Sequence, residues 1–397
     1  MKVVVIGGGI SGVIASIYAS KNNEVTILER NSSLLKKLLL TGNGRCNYFN
    51  SNQDISNYNS SDFNLLKEII TEENIEKVIN FYNSIGIIPK IKNGYYYPYS
   101  NRADSMKESL LKEVELNNIK VITDYLVENI EIKNDKFIIN NDLEFDKVII
   151  STGSKAAPKT GSDGIGYKLL NELNLDIIKP LPSLVQLKGN GSYFKEWNGI
   201  RVDAKVSLYE NDKFIKEEIG ELQLTNYGLS GICIFNLSVR LKIGLDKNNN
   251  ESIKINFLPF VIDIEKFMID RNNLLKNRNI LELLEGIINY KLVKVILKES
   301  NINESKTFNE LNIKEKEILY NNLINFNVDI IDTNDYECAQ VCSGGLNLNE
   351  INTKTMETKK IKNLYEIGEL LDIDGLCGGY NITASTISAI LAGENIW

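Results

Sequence analysis

The first thirty residues constrain the fold more than any other part of this sequence. Lys2–Ile6 is a short apolar stretch typical of a buried strand, the glycine motif Gly7-x-Gly9-x-x-Gly12 follows it, and Ile10–Lys21 has the pattern of a helix. A second apolar stretch, Glu24–Leu28, ends next to Glu29. Strand, glycine-rich turn, helix and strand form the βαβ unit of dinucleotide-binding proteins. The order therefore predicts an α/β fold with a Rossmann-type domain.

Each position of this motif has a chemical purpose. Gly7 allows a tight turn, Gly9 lets the backbone approach a diphosphate, and Gly12 lets the helix pack against the strand. The positive end of the helix attracts the diphosphate. Glu29 is placed to accept a hydrogen bond from a ribose 2′-hydroxyl and would repel a 2′-phosphate, which disfavours NADP.

The C-terminal segment favours FAD over NAD. Gly368-Glu369 and the run from Asp372 to Asn381 place glycines before a predicted helix, Ile382–Leu391. A second helix N-terminus suits the N1/O2 edge of an isoalloxazine, where negative charge gathers on reduction. A dinucleotide unit at the start of the chain, followed by the long connection 34–120, is also typical of FAD-binding proteins.

A second glycine-rich loop, Thr41-Gly-Asn-Gly-Arg-Cys-Asn47, is expected to lie against the flavin ring. The glycines of this loop and of Gly378-Gly379 are interpreted as places where the backbone approaches one flat object. Cys46 has no nearby cysteine partner, so we expect a structural thiol beside the flavin. Arg45 is available for an anionic or carbonyl group of a substrate.

Three further patterns bear on cofactor and metal binding. Ser151-Thr-Gly153 follows the predicted strand Lys147–Ile150 and is expected to return the chain to the dinucleotide. Gly161-x-x-Gly164-x-Gly166 has the wrong spacing for a phosphate loop and no strand directly before it, so no separate NAD(P)H domain is predicted. Cys338 and Cys342 alone do not make a metal site, and none is expected.

The absence of histidine excludes many mechanisms. With no His in 397 residues, the commonest general base, the commonest metal ligand and a flavin linked through His are all excluded. FAD is therefore expected to be bound non-covalently. The net charge of -7 and the pI of about 5.1 argue against a nucleic-acid partner. Only four apolar residues precede Gly7, too few for a signal-peptide core, so a cytoplasmic protein without membrane contact is expected.

The pattern of elements predicts a discontinuous domain arrangement. The FAD-binding domain is expected to span 1–183 and 346–397, with a β-rich substrate domain at 184–261 and 328–345. A small helical domain is expected at 262–327, where Leu283, Leu284, Leu292 and Val295 share one helical face.

These residues together resemble the bacterial flavoproteins described as aminoacetone-oxidase-like, YhiN-like or BaiN-like oxidoreductases. The resemblance runs through nearly the whole chain and is most specific from Lys354 to Lys359 and onward to Asn381. It implies FAD in a discontinuous domain with an inserted β domain and a helical domain. Members are credited with oxidising small amines or reducing steroid-like enones. The family usually has a His near Asn174, so a mechanism that needs that His is excluded here.

The chain is thus expected to be an FAD-dependent oxidoreductase that transfers a hydride through flavin N5 to or from a small organic substrate. NAD(P)H or O₂ would be the second partner, and no oligomeric state follows. The alternatives are a flavin-binding regulator without turnover and a flavin-dependent RNA-modifying protein. The expected catalytic residues are Arg45, Asn47, Tyr380 and Asn381. The expected cofactor-binding residues are Gly7, Gly9, Ile10, Ser11, Gly12, Glu29, Arg30, Lys37, Gly42, Gly44, Arg45, Cys46, Val127, Thr152, Gly153, Gly368, Glu369, Gly375, Gly378, Gly379, Tyr380, Asn381 and Ile382.

Overall fold

The chain divides into two compact units. The structure, a computed structural model that describes residues 1–396, groups Met1–Pro182 with the segment that starts at Tyr336. The second unit is Ser183–Asp335. The first unit is therefore built from both ends of the chain.

The regular elements follow one another in three stretches. The first stretch contains β1 (Lys2–Ile6), α1 (Ile10–Ala19), β2 (Glu24–Leu28), β3 (Phe49–Asn50), β4 (Tyr58–Asn59), α2 (Phe63–Ile69), α3 (Glu72–Ser84), β5 (Pro89–Lys92), β6 (Tyr95–Pro98), α4 (Ala103–Leu116), β7 (Lys120–Ile122), β8 (Ile130–Lys133), β9 (Lys136–Ile139), β10 (Leu143–Phe145), β11 (Lys147–Ile150), α5 (Ile165–Glu172) and β12 (Ile177–Ser183). The second contains β13 (Leu187–Asn190), α6 (Phe194–Trp197), β14 (Arg201–Glu210), β15 (Lys213–Leu224), β16 (Gly228–Ser230), α7 (Ile232–Asp246), β17 (Glu251–Asn256), α8 (Ile264–Leu274), α9 (Ile280–Glu285), α10 (Tyr290–Glu299), α11 (Ile313–Ile324) and β18 (Phe326–Thr333). The third contains β19 (Val341–Leu346), β20 (Leu364–Glu366), β21 (Asp374–Gly375) and α12 (Tyr380–Asn395).

A five-stranded parallel sheet organises the first unit. Its strand order is β20-β11-β1-β2-β7, so β1 lies at the centre and the C-terminal strand β20 at one edge. Val3, Val4 and Val5 have no solvent exposure, as expected for a parallel strand that is covered on both faces. The carboxyl ends of β1, β2 and β11 all meet at one edge of this sheet, which is where ligands bind in open α/β folds.

Helices α1 and α12 pack closely against each other. A β-carbon at Gly393 would lie 2.8 Å from the carbonyl oxygen of Ala15, so this position tolerates only glycine. Small residues such as Ala389 and Ser388 keep the rest of α12 slim and buried. This packing brings the C-terminal helix beside the N-terminal βαβ unit.

The second unit contains a closed barrel with strand order β13-β16-β15-β14-β17-β18 and antiparallel pairs throughout. Its core joins barrel residues such as Val206 and Ile253 with Leu284 and Ile296 of the helices that follow. The predicted segment 262–327 therefore shares one core with the barrel, and its separation as a domain stays a prediction.

Two stretches of the first unit differ from what their sequence pattern indicates. The pattern of residues 69–85 is typical of one helix. The structure has α3 over Glu72–Ser84 there, because the Thr71 hydroxyl accepts a hydrogen bond from the Asn74 amide and starts the helix, and the separate helix α2 ends at Ile69. The aromatic segment 95–100 has a composition typical of turns, but β6 forms there because Tyr95 and Tyr96 pair with Asn50 and Phe49. In the part of the chain that the structure describes, we found no helix with the length and apolar character needed to span a bilayer.

Candidate cofactor site

A cleft lies in the first unit, at the carboxyl ends of the central strands. The first turns of both α1 and α12 line it, although they come from opposite ends of the chain. Twelve of the residues expected to bind the cofactor line this cleft: Gly7, Gly9, Ile10, Ser11, Glu29, Arg30, Lys37, Val127, Thr152, Gly153, Glu369 and Ile382.

The three glycines of the first motif have different surroundings. A β-carbon at Gly12 would overlap the carbonyl oxygen of Gly7 and the hydroxyl of Ser151, and Gly7 itself has a φ of +105°. Beside Gly9, by contrast, a β-carbon would meet no described atom within 4 Å. Gly9 also precedes α1 without a side-chain cap, so the first amides of the helix face this open space. The space and the free amides fit a diphosphate.

Glu29 is buried and held by its neighbours. Its Oε2 accepts a 2.7 Å hydrogen bond from the Gly8 amide, and its Oε1 accepts bonds from the Asn31 amide (2.8 Å) and from Asn31 Nδ2 (2.7 Å). A carboxylate offers about four acceptor sites, so one remains on Oε2 for a further donor. Glu29 fits a ribose hydroxyl, and it also stabilises the turn that carries it.

We expect Glu29→Ala to weaken FAD binding about tenfold to a hundredfold, because a hydrogen bond to a charged acceptor contributes about 1.5–3 kcal/mol. The variant should also lower the unfolding midpoint of the apoprotein, since the Gly8 and Asn31 amides lose their acceptor. FAD titration and thermal unfolding of the apoprotein measure the two effects separately. Unchanged FAD retention would contradict the proposed ribose contact.

Two ion pairs lie along the cleft. Lys37 Nζ lies 2.5 Å from Glu369 Oε2, which also accepts a 3.1 Å hydrogen bond from the Ser154 hydroxyl. Arg30 pairs with Asp163 at 2.5 Å. The Lys37–Glu369 pair joins the segment after β2 to the turn before α12.

The cleft also contains residues that the sequence reasoning missed. Several lie next to predicted ones in the chain, such as Asn31, which follows Arg30. Thr160, Gly161 and Ser162 line the cleft too, although the glycine spacing at 161–166 argues against a phosphate loop. Their approach depends on a hydrogen bond from Asn31 Nδ2 to the Thr160 carbonyl (3.0 Å), a contact across 129 residues that no local pattern indicates. The other lining residues that were not predicted as cofactor contacts are Ile6, Gly8, Leu28, Ser33, Leu35, Lys36, Leu38, Thr41, Tyr125, Leu126, Ser151, Ile165 and Ser385.

The structure brings the two glycine-rich segments together. The backbone around Phe49, just beyond the 41–47 loop, lies against Gly379, where a β-carbon would come within 2.6 Å of the Phe49 amide nitrogen. Asn50 Nδ2 donates a 3.1 Å hydrogen bond to the Gly378 carbonyl. At Gly42 a β-carbon would lie 2.9 Å from the Asn47 amide nitrogen.

These contacts correct one interpretation of the glycines. Gly42, Gly378 and Gly379 were expected to require a flat ligand, but close packing against the protein itself already requires glycine there. Positive φ angles, for example +136° at Gly378 and +97° at Gly379, give a second reason. The glycines thus explain how the two segments meet and are not by themselves evidence for the flavin ring.

Several predicted residues in these segments have structural partners. The Asn381 amide is held on both sides by Gly375, whose amide donates to Oδ1 and whose carbonyl accepts from Nδ2, both at 2.9 Å. Asn47, with its amide oriented to suit its neighbours, donates to the Phe49 and Tyr96 carbonyls at 3.1 Å. These bonds stabilise the turns, and direct catalytic roles for Asn47 and Asn381 stay predictions.

Two other predicted residues face the core. Tyr380 is 5% exposed and packs edge-on against Tyr58, with ring centroids 5.3 Å apart. Burial raises the pKa of Tyr380 to about 12. Cys46 has no exposed surface, and burial raises the pKa of its thiol to about 12, so the thiol is unreactive at neutral pH.

The remaining predicted residues set the backbone near the cleft. Gly368 packs against Ser11 with a φ of +74°, and its amide donates to the Ser388 hydroxyl at 3.0 Å. Gly44 has a φ of +79°, which completes the loop that carries Arg45.

Comparison with known proteins places this chain in a family. The model described as HI0933-like protein Rossmann domain matches residues 1–395. The chain belongs to this family. That assignment confirms the resemblance to YhiN-like and BaiN-like flavoproteins, the Rossmann-type fold and the class of FAD-dependent oxidoreductases.

Relatives that match nearly the whole chain are named for two different activities. The chain is 34% identical over 401 residues to a 3-dehydro-bile acid Δ(4,6)-reductase of Clostridium scindens, covering 99% of this chain and 98% of that protein. It is 26% identical to a ribosomal RNA dihydrouridine synthase of Escherichia coli, covering 99% and 97%. A solved 3-ketosteroid Δ1-dehydrogenase from Sterolibacterium denitrificans is similar in fold, with a TM-score of 0.51, 9% identity and coverage of 99% and 98%.

Proposed function

We propose that this chain reduces a carbon–carbon double bond conjugated to a carbonyl group in a small organic molecule. The observation that carries the proposal is the 34% identity, over 99% of the chain, to a protein named as a reductase of a 3-oxo substrate. Dihydrouridine formation, the activity named for the relatives at lower identity, also saturates a double bond next to a carbonyl. The two names share one reaction class.

The residues of the cleft suit FAD. We propose that Gly9 and the first turn of α1 bind the diphosphate and that Glu29 accepts from the adenosine ribose. Thr41 begins the first glycine-rich segment, Ile382 and Ser385 follow the second, and all three line the cleft, so the flavin end is assigned to this side. Bound FAD supplies a two-electron hydride carrier at N5. The uncapped first turn of α12 would stabilise negative charge on that end.

Charge favours a small substrate over RNA. The second unit, residues 183–335, has 20 Lys and Arg against 22 Asp and Glu, and the whole chain has a net charge of -7. RNA binding depends on an excess of positive charge that neutralises phosphates. The RNA-modifying alternative rests on the relatives of this chain that are named ribosomal RNA dihydrouridine synthases, and the experiment below tests it beside the main proposal.

The deciding experiment is a reoxidation assay without oxygen. The FAD-loaded protein is reduced by dithionite, or by NADH or NADPH if either reduces it, and is then mixed with a 4-en-3-one steroid, with 2-cyclohexenone or with unmodified ribosomal RNA. The flavin absorbance near its oxidised maximum reports electron transfer, and mass spectrometry reports the product.

The outcomes separate the candidates. Reoxidation by an enone, with a product two hydrogens heavier, supports the proposal. Reoxidation by RNA alone would favour the RNA-modifying alternative. Reoxidation by O₂ alone, together with reduction by small amines, would indicate an oxidase, and a flavin that no substrate reduces or reoxidises would favour a regulator.

We expect FAD to be released by denaturation. The chain has no His, and the thiol of Cys46, in the loop assigned to the flavin end, is buried with a raised pKa, so neither common covalent link is available there. Acid precipitation of the yellow protein should leave a colourless pellet and a yellow supernatant. A yellow pellet would contradict non-covalent binding.

A further inference from the structure

We infer that Arg45 and Tyr97 form the carbonyl-binding part of the substrate site, with Arg45 binding the carbonyl oxygen and the Tyr97 hydroxyl supplying a proton to the substrate carbon. This inference rests on the proposed function and adds a catalytic residue, Tyr97, that the sequence analysis did not select. It is carried by the placement of one unpaired cation against one half-buried tyrosine.

Arg45 is a cation without an anionic partner. Its Nε donates a 3.1 Å hydrogen bond to the Gly42 carbonyl, which leaves both terminal nitrogens of the guanidinium unused. Within residues 1–396, no carboxylate lies within ion-pair distance of Arg45. Its guanidinium carbon instead lies 5.1 Å from the centroid of the Tyr97 ring. The fork is thus oriented by Gly42 and Tyr97 and keeps donors for a ligand.

Strand β6 places Tyr97 beside both glycine-rich segments. Side chains alternate along a strand, so Tyr95 and Tyr97 lie on one face and Tyr96 on the other. Tyr96 packs into the core against Phe49 (ring centroids 5.1 Å). Tyr95 lies next to Gly378, and the Tyr97 ring lies 3.5 Å from where a β-carbon of Gly42 would be. Tyr97 therefore lies beside Gly42, and Gly42 follows Thr41, which lines the cofactor cleft.

Other tyrosines near these segments are less suited to proton transfer. Tyr380 packs against Tyr58 in the core, and the hydroxyl of Tyr82 is hydrogen-bonded to Thr386 at 2.8 Å. Tyr97 is half-buried, and its hydroxyl has no hydrogen bond to another described residue. It can therefore contact a substrate and exchange its proton with water.

Arg45 and Tyr97 would supply the charge stabilisation and the proton that reduction of an enone requires. When a hydride adds to the β-carbon of an enone, the π electrons move to the carbonyl oxygen and form an enolate. The free guanidinium nitrogens of Arg45 donate to that oxygen, where charge develops. The α-carbon then takes the proton of the Tyr97 hydroxyl, and the tyrosinate, stabilised by the adjacent guanidinium, recovers a proton from water. Bound reduced FAD would supply the hydride with its two electrons, and the product would carry two new C–H bonds.

The test compares Tyr97→Phe and Arg45→Met with Tyr99→Phe. Tyr99 is 71% exposed and lies just after β6, so its variant controls for loss of a nearby hydroxyl. Tyr97→Phe keeps the ring below Arg45. Calorimetry on the oxidised, FAD-loaded protein measures binding of 4-androstene-3,17-dione, and anaerobic mixing with dithionite-reduced protein measures the rate of reoxidation by the same steroid.

Arg45→Met should weaken binding of the steroid about tenfold or more, because hydrogen bonds from a charged donor are lost. Tyr97→Phe should leave binding within about threefold and slow reoxidation about a hundredfold, the usual contribution of general acid catalysis. Tyr99→Phe should match the wild type in both, and FAD titration of all three variants, with the steroid assays run on FAD-saturated protein, separates loss of the cofactor from loss of the substrate.

Two results overturn the inference in distinguishable ways. If the wild type reduces the enone and Tyr97→Phe does so as fast as Tyr99→Phe, or if Arg45→Met binds the steroid as well as the wild type, the assignment of these two residues is wrong. If the FAD-loaded wild type is not reoxidised by any enone, the proposed function fails and the inference fails with it.

Discussion

Gly9→Ala is expected to weaken FAD binding roughly a hundredfold and to leave the apoprotein as stable as the wild type. Nothing described lies within 4 Å of the position that the new methyl group would take, and the backbone at Gly9 (φ −72°, ψ −177°) is open to alanine. The methyl group would occupy the space assigned to the diphosphate and separate it from the first amides of α1, whose hydrogen bonds to an anion contribute about 1.5–3 kcal/mol each.

Gly12→Ala is the matched variant, and it should fail for a different reason. Its methyl group would overlap the Gly7 carbonyl and the Ser151 hydroxyl whether or not FAD is bound. Forcing the strand, turn and helix apart should cost about 3 kcal/mol or more of folding free energy. Urea unfolding of the two apoproteins, followed by FAD titration of those that fold, measures the contrast. If Gly9→Ala binds FAD like the wild type, the diphosphate does not lie against Gly9.

Glu366→Met is expected to stabilise the protein, and more so as the pH rises. Glu366 ends β20 beside Ile150 of β11, has no exposed surface, and neither of its carboxyl oxygens has a hydrogen-bond partner within residues 1–396. Leaving a buried polar group without a partner costs about 1–3 kcal/mol. Methionine has a similar shape and removes that cost.

The pH dependence follows from the direction of the pKa shift. Burial raises the pKa of Glu366 well above that of an ordinary glutamate. The unfolded chain loses this proton near its usual pKa of about 4.3, but the folded chain keeps it. The contribution of Glu366 to the free energy of unfolding is therefore fully present below the unfolded pKa. As the pH rises above that value, the free energy of unfolding falls by about 1.4 kcal/mol per pH unit until the pH passes the folded pKa.

Urea unfolding of wild type and Glu366→Met at pH 6 and pH 8 tests this sign. The gap between the two proteins should widen at the higher pH. Glu251, in the second unit, is also buried without a hydrogen-bond partner, and burial raises its pKa to about 7, so both proteins share its contribution and the difference isolates Glu366. If the difference in unfolding free energy between the two proteins is the same at pH 6 and pH 8, Glu366 titrates like an exposed glutamate.

Sequence reasoning was most accurate where local pattern decides the structure. The bounds predicted for β1 and β2 agree with the structure to the residue, since a short apolar run next to a glycine turn has few other solutions. It was least accurate where partners lie far apart in the chain. The loop at 160–162 reaches the cleft through the Asn31–Thr160 hydrogen bond, and β6 forms because Tyr95 and Tyr96 pair with Asn50 and Phe49.

The sequence by itself determined the dinucleotide-binding unit, the acidic end of β2, the absence of histidine chemistry and the family resemblance. These depend on residue types and on spacings within about thirty residues. The tertiary structure decided which glycines serve a ligand and which serve the protein: Gly9 faces open space, but Gly379 lies against the Phe49 backbone from the other end of the chain. It also decided that Tyr380 packs into the core and that Arg45 stacks on Tyr97, because the direction of a side chain depends on long-range packing that no local spacing records.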